Sequence, residues 1–333
     1  MKLGLGTWRF LLALYVAISH LWSGMIHGPA AYSVWGFFVL SGFLMTYVLR
    51  NKYGFDNAGL KDFAFNRFLR IFPLYWIACA MGAASLYLLP RWGVNPSSLN
   101  PQFIAPQGFA DWFNNTTLLP IVGGHGLLVP VSGALAVEVA AYILMPLMAF
   151  SRQASWIGLI LSLTLNLNHG LNIDSFAVRY SSFLTCFAAF SLGSLVCHYK
   201  EFLGRFSAPI TSVVIWSAHC LVWIWYDQWP WTYGLYVSAL LSAWVVLSLS
   251  KLETGAIDSL LGDLSYPLYL FHTTVAAWVL VFHSQSRSFQ FFLISFLLTI
   301  ILCWLLIIGV DKPVHRLKRK AKSLKPAHEG INP

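Results

Sequence analysis

The chain has 333 residues, of which 58% belong to the AVILMFWYC set and only 10% are charged. A soluble domain carries about 25% charged residues, so this composition excludes a water-soluble enzyme, a disordered chain and a coiled coil. It leaves an all-α, polytopic membrane protein in which lipid is the outer solvent. The net charge of +9 marks orientation rather than nucleic-acid binding, because the basic residues sit in loops and in the C-terminal tail.

A spanning helix needs about 20 mostly apolar residues. Such runs fall near 7–23, 33–49, 69–89, 134–150, 155–169, 176–197, 208–226, 230–249, 265–283 and 289–310, which predicts ten transmembrane helices. The first two divide at Ser23-Gly24-Met25-Ile26-His27-Gly28-Pro29, where Gly and Pro punctuate the apolar stretch. The first run lacks a small-x-small cleavage site and reads as a retained helix. The external loop 90–133 is too long for a plain connection and reads as a cover over a site. Within it, Asn114-Asn115-Thr116-Thr117 carries two formal glycosylation sequons. The five Cys show no pairing pattern and read as packing residues.

Ten spans with a cytoplasmic N-terminus put all 21 Lys and Arg except Arg91, Arg179 and Arg287 on the inner side, as the positive-inside rule requires. Both termini are then cytoplasmic. Residues 1–317 form one integral membrane domain, and the basic tail 318–333 faces anionic lipid headgroups.

Ionisable residues inside spans are costly in lipid and mark function. Arg9 and His20 both lie in the first span. Eleven residues at 100° each come to about 20° past three turns, so the two share a face about 16 Å apart. A lone Arg also snorkels and a lone His also packs; together they suggest a base deep in the membrane. Arg67 and Arg70, three apart at the cytoplasmic mouth of the third span, serve either as anchors or as guanidinium forks for phosphate. Glu138 is the one acid well inside a span, expected near its outer end. Tyr269 and His272 share a face of the ninth span by the same i, i+3 spacing. The ten His are scattered, with no HExxH and no paired Cys/His spacing, so no metal site is expected.

These pieces come in a particular order: Arg9-x10-His20, then Phe37-Phe38-Val39-Leu40-Ser41-Gly42-Phe43-Leu44, then Arg67-x-x-Arg70-Ile71-x-Pro73. Leu135-x-x-Glu138-x-x-x-Tyr142-x-x-x-Pro146, Ser265-Tyr266-Pro267-Leu268-Tyr269-Leu270-x-His272 and Asp311-x-Pro313 follow. The set resembles the acyltransferase-3 family of integral membrane acyltransferases from about residue 5 to 317. Gly133-Ala134-Leu135 stands where the family usually has Trp-Ser-Leu, and Asp311 where it commonly has Glu. With only a short basic tail after the last span, the chain looks like the stand-alone form without an SGNH domain.

The resemblance implies O-acyl transfer, usually acetyl, from cytoplasmic acyl-CoA as co-substrate to a hydroxyl of an exported or lipid-linked glycan in a bacterial inner membrane. It implies no permanently bound cofactor. It also implies His20 as the catalytic residue with Arg9 its partner, and Arg67 and Arg70 on the CoA side. Ser41, Glu138, Tyr269 and His272 are expected to support the acceptor side. His20 would either take the acceptor proton or be transiently acylated. The competing reading is a proton-coupled transporter or flippase, which also needs buried ionisable residues; no half-to-half symmetry supports it.

Overall fold

A computed structural model describes residues 4–24, 28–119 and 126–319. The expected break at Met25-Ile26-His27, part of the long loop and the tail beyond residue 319 lie outside the described residues. The described chain is helical, with no strand among the described residues. Its helices are α1 (Leu5–Leu21), α2 (Pro29–Val48), α3 (Asn57–Leu88), α4 (Phe109–Thr117), α5 (Ser132–Phe150), α6 (Arg152–Asn168), α7 (Phe176–Ser181) and α8 (Phe183–His198). They continue with α9 (Lys200–Leu203), α10 (Pro209–His219), α11 (Gly234–Leu249), α12 (Ala256–Val279), α13 (Phe289–Leu306) and α14 (Lys312–His315).

Every one of the ten apolar runs carries an α-helix, and the run 176–197 carries two. By length and composition, four stretches suffice to cross a membrane: Pro29–Tyr53, Asn57–Trp92, Ser132–Phe150 and Phe289–His315. A fifth is added if Lys200–Phe206 and Pro209–Ile224, bent by 79°, count as one. Leu5–Leu21, Phe183–His198 and Gly234–Leu249 are apolar but shorter. The outer surface is apolar as well: Ile143, Leu147, Ile157, Leu161, Ile301 and Trp304 are each more than half exposed. Water does not tolerate such a belt and lipid does, so the chain is a multi-pass membrane protein.

The central helix is α2, which is buried nearly all round, as its uniformly apolar sequence requires. It meets α8 through small residues: a Cβ on Gly42 would strike the Phe190 carbonyl, and one on Gly193 the Val39 carbonyl. Without a hydrophobic drive between helices in lipid, such close approach supplies the packing.

The α1–α12 contact is built the same way. A Cβ on Gly6 would run into the Asp258 carbonyl, and one on Gly262 would lie 3.0 Å from the Gly6 Cα. Asp258, in the first turn of α12, then caps α1. Its Oδ1 accepts from Gly4 N (2.8 Å), Thr7 N (2.7 Å) and Thr7 Oγ1 (2.7 Å), and its Oδ2 from Gly6 N at 3.3 Å. These amides have no partner inside α1. Since Thr7 meets Asp258 at one end and His20 meets His272 at the other, α1 and α12 run parallel.

Three expectations change in detail. The run 176–197 is interrupted at Ser182, where extended backbone separates α7 from α8. Arg179, expected on the outer side, is fully buried. It donates to the Asn172 carbonyl (2.7 Å), the Trp231 carbonyl (2.6 Å) and Ser175 Oγ (3.0 Å), so carbonyls satisfy this cation. The long loop does not merely cover the bundle. Its described part turns back in, with Leu118, Leu128 and Val129 in one core cluster with Tyr75 of α3 and Phe271 of α12. Asn115 is the pin: its amide donates to the Asp111 and Gly126 carbonyls, and its Oδ1 accepts from Leu128 N. The second sequon is therefore a buried structural residue.

Burial pushes the Asp258 carboxyl up, but hydrogen bonds from Thr7, Gly4 and Gly6 outweigh it and hold the group below the ordinary carboxylate value. A carboxylate lowered in this way stabilises the fold above its unfolded pKa, and the contribution fades as pH falls through the folded value. Asp258→Ala is expected to cost about 2 kcal/mol, read as a lower Tm in detergent at pH 7. The gap to the unmodified protein should close only below about pH 4; a gap unchanged at pH 3 would mean that capping charge is not its source.

Candidate active site

Five helices enclose a cavity of about 800 Å³, counting its open mouth. It brings together residues separated by most of the chain: Arg9 from α1, Ser41 from α2, Arg67 and Arg70 from α3, Glu138 and Tyr142 from α5, and Tyr269 from α12. The Glu138 carboxylate is held on one oxygen by two hydroxyls. Ser41 Oγ donates at 2.6 Å and Tyr142 OH at 2.7 Å.

Three guanidinium groups face this single carboxylate, and Arg9 lies within electrostatic reach of Arg70, Arg67 and Glu138. The cavity thus has surplus positive charge in an apolar frame that includes Phe37, Leu44 and Met45. Arg67 Nε is buried with no hydrogen-bond partner. Buried donors are normally satisfied, so an unpaired guanidinium N–H beside two further arginines suits an anion.

Ser41 and Glu138 line the same cavity as the arginines. Glu138 sits two turns into α5, where its hydrogen-bond partners are Ser41 of α2 and Tyr142 of its own helix and where it lies within electrostatic reach of Arg9.

His20 and His272 do not line this cavity; they lie beyond it. His20 Nδ1 is 2.9 Å from His272 Nε2, and the rings stack with centroids 5.2 Å apart and planes at 23°. His272 is fully buried. Its Nδ1 lies 2.9 Å from the Tyr269 carbonyl and 3.1 Å from the Leu268 carbonyl. Carbonyl oxygens only accept, so His272 Nδ1 carries the proton and its Nε2 a lone pair. That lone pair must accept from His20 Nδ1–H. His20 is thereby left with a lone pair on Nε2. Two backbone carbonyls in α12 thus fix the tautomer of a residue in α1, an orienting role of the kind that other histidine sites assign to a carboxylate.

Tyr269 joins the two halves. It lines the arginine cavity, its ring centroid is 6.4 Å from that of His272, and it is 6.1 Å from Phe37 on the opposite wall. Its hydroxyl donates to the Val131 carbonyl at 2.8 Å. The cavity therefore runs from Arg9 to within one helical turn of the histidine pair.

Sequence reasoning placed Arg9 and His20 on one face of α1, and both point into this system. It missed the direct His20–His272 contact, because nothing local links residues 252 apart. It missed Asp258 for the same reason.

No curated protein and no solved structure matches the chain. A family model for an acyltransferase domain, Acyl_transf_3, matches residues 3–308, nearly the whole described chain, and the protein accordingly belongs to the acyltransferase-3 family of membrane acyltransferases.

Proposed function

We propose that the protein is a ten-span O-acyltransferase of a bacterial inner membrane that moves an acyl group, acetyl by preference, from cytoplasmic acyl-CoA to a hydroxyl of an exported or lipid-linked glycan. The observation that carries this reading is the hydrogen-bonded histidine pair one helical turn beyond Tyr269 of an arginine-lined cavity. The end of the bundle where α1 and α12 begin is then cytoplasmic. The charged nucleotide of the donor stays at that mouth, because phosphates cannot enter lipid, and Arg9, Arg67 and Arg70 hold it there. The thioester arm extends past Phe37 and Tyr269 toward His20.

At that point the chemistry needs a base. His20 Nε2 takes the proton of the acceptor hydroxyl as the oxygen attacks the thioester carbonyl. The C–O bond forms, the tetrahedral centre collapses, the C–S bond breaks, and the thiolate of CoA recovers the proton from His20. While His20 is protonated, its charge is shared through Nδ1–H with His272, which the Tyr269 and Leu268 carbonyls stabilise in turn. His272 does not touch the acyl group in this scheme and acts as a positioning residue. The same Nε2 lone pair would also serve an acyl-imidazole route; that route gives an initial burst of CoA, and direct transfer gives none.

Membranes carrying the protein should transfer label from radiolabelled acetyl-CoA to a glycan fraction. His20→Ala should lower this by at least about 10²-fold while the protein stays inserted; a fully active inserted variant would refute the role of His20. His272→Ala should act mainly on kcat, and the double variant should be little worse than His20→Ala alone, since groups that act as a unit are not additive. Additive losses would separate the two residues. Arg67→Ala should instead raise KM for acetyl-CoA about tenfold with kcat largely kept.

A further inference from the structure

The chain after α13 does not hang free where it is described. It folds back across α3 next to the arginine pair. Arg319 is held at three points: its backbone N donates to Asn66 Oδ1 at 3.0 Å, its carbonyl accepts from Asn66 Nδ2 at 3.0 Å, and its guanidinium pairs with Asp62 at 3.0 Å. Its side chain also lies over the Phe65 ring, 4.6 Å from the centroid. Asn66 is buried and immediately precedes Arg67, and it donates as well to Tyr53 OH at 2.9 Å. An asparagine that pairs both of its polar atoms with one residue's backbone acts as a strap.

The residue this strap positions is Lys318. Its Nζ donates to His315 Nε2 at 2.6 Å, and His315 lies 3.6 Å from Asp311. Burial lowers its pKa to about 8, with Arg70 and Arg67 pushing the same way and Asp311 and Asp263 opposing them. Its chain neighbour Arg319 is tied to Asn66, the residue before Arg67, so the strap brings this ammonium within electrostatic reach of Arg67 and Arg70, where a bound anion would offset their mutual repulsion.

We propose that Lys318 belongs to the donor site, where it joins Arg67 and Arg70 in holding the phosphates at the nucleotide end of acyl-CoA, and that Asn66 positions it there. This rests on the acyl-CoA reading given above. It makes the C-terminal segment a part of donor recognition rather than only a lipid-facing tail. A phosphate could also come from a lipid headgroup, and the test separates the two sources.

The test is equilibrium binding of CoA to the full-length protein in phosphatidylcholine nanodiscs, with pantetheine as the phosphate-free control. Lys318→Gln is expected to weaken CoA about tenfold and to leave pantetheine unchanged, while Lys318→Arg keeps most of the affinity. Asn66→Ala, which leaves every cation in place, should weaken CoA in the same direction, and it stands in if Lys318→Gln does not fold. Affinity of the unmodified protein should fall as pH rises from 7 to 9, because binding must then restore a proton to Lys318; Lys318→Arg should lack that slope. Equal CoA affinity in the unmodified protein and the Lys318→Gln variant overturns the proposal. So does a difference that appears only when phosphatidylglycerol is added, which assigns Lys318 to lipid. No CoA binding by the unmodified protein would overturn the donor reading itself.

Discussion

The structure depends on how closely α1 and α12 approach. A site made from two helices at opposite ends of the sequence needs their register fixed to a fraction of a turn, and lipid offers no hydrophobic drive to do it. Gly6 and Gly262 let the backbones meet, and Asp258 then closes the first turn of α1 with its carboxylate. From that clamp the two helices run in parallel for about 20 Å, at 1.5 Å per residue. His20 and His272 arrive together at the far end. A slip of one residue would turn His20 by about 100° and break the relay. The clamp and the histidine pair are one device, read at two ends.

The same lipid constraint explains why so few charges make so specific a site. Each buried ionisable group costs free energy unless it is paired, and the pairs here are unequal by design. Glu138 is satisfied by hydroxyls from Ser41 and Tyr142, which leaves three guanidinium groups facing one carboxylate. Arg179, buried elsewhere, is satisfied by carbonyls and presents no such surplus. The contrast separates a cation that holds the fold together from cations that await an anion.

Much of this was legible in the sequence. The ten apolar runs each carry an α-helix, since a helix that satisfies its own backbone is the local solution in lipid. Arg9 and His20 share a face because helical periodicity alone determines it. Local rules do not reach the contacts between distant helices. Asp258 looks like an ordinary first-turn acid until α1 is laid against it, and His272 gives no sign that its partner is another histidine. The long loop was recognisable as more than a connection, but its return into the bundle depends on Asn115, whose three partners lie in loop backbone that only the fold assembles. Glu138 was placed by counting along its own helix, whereas its neighbours come from four others.

The central claim is that His272 sets the tautomer of His20 so that Nε2 is the free base. Nitrogen-15 NMR of imidazole-labelled protein in lipid, with His20→Ala and His272→Ala used for assignment, measures this directly. The account predicts that at neutral pH Nδ1 is protonated on both residues, with pyridine-like Nε2 nitrogens, and that His20 loses its fixed tautomer in His272→Ala. A protonated Nε2 on His20 in the unmodified protein would contradict it.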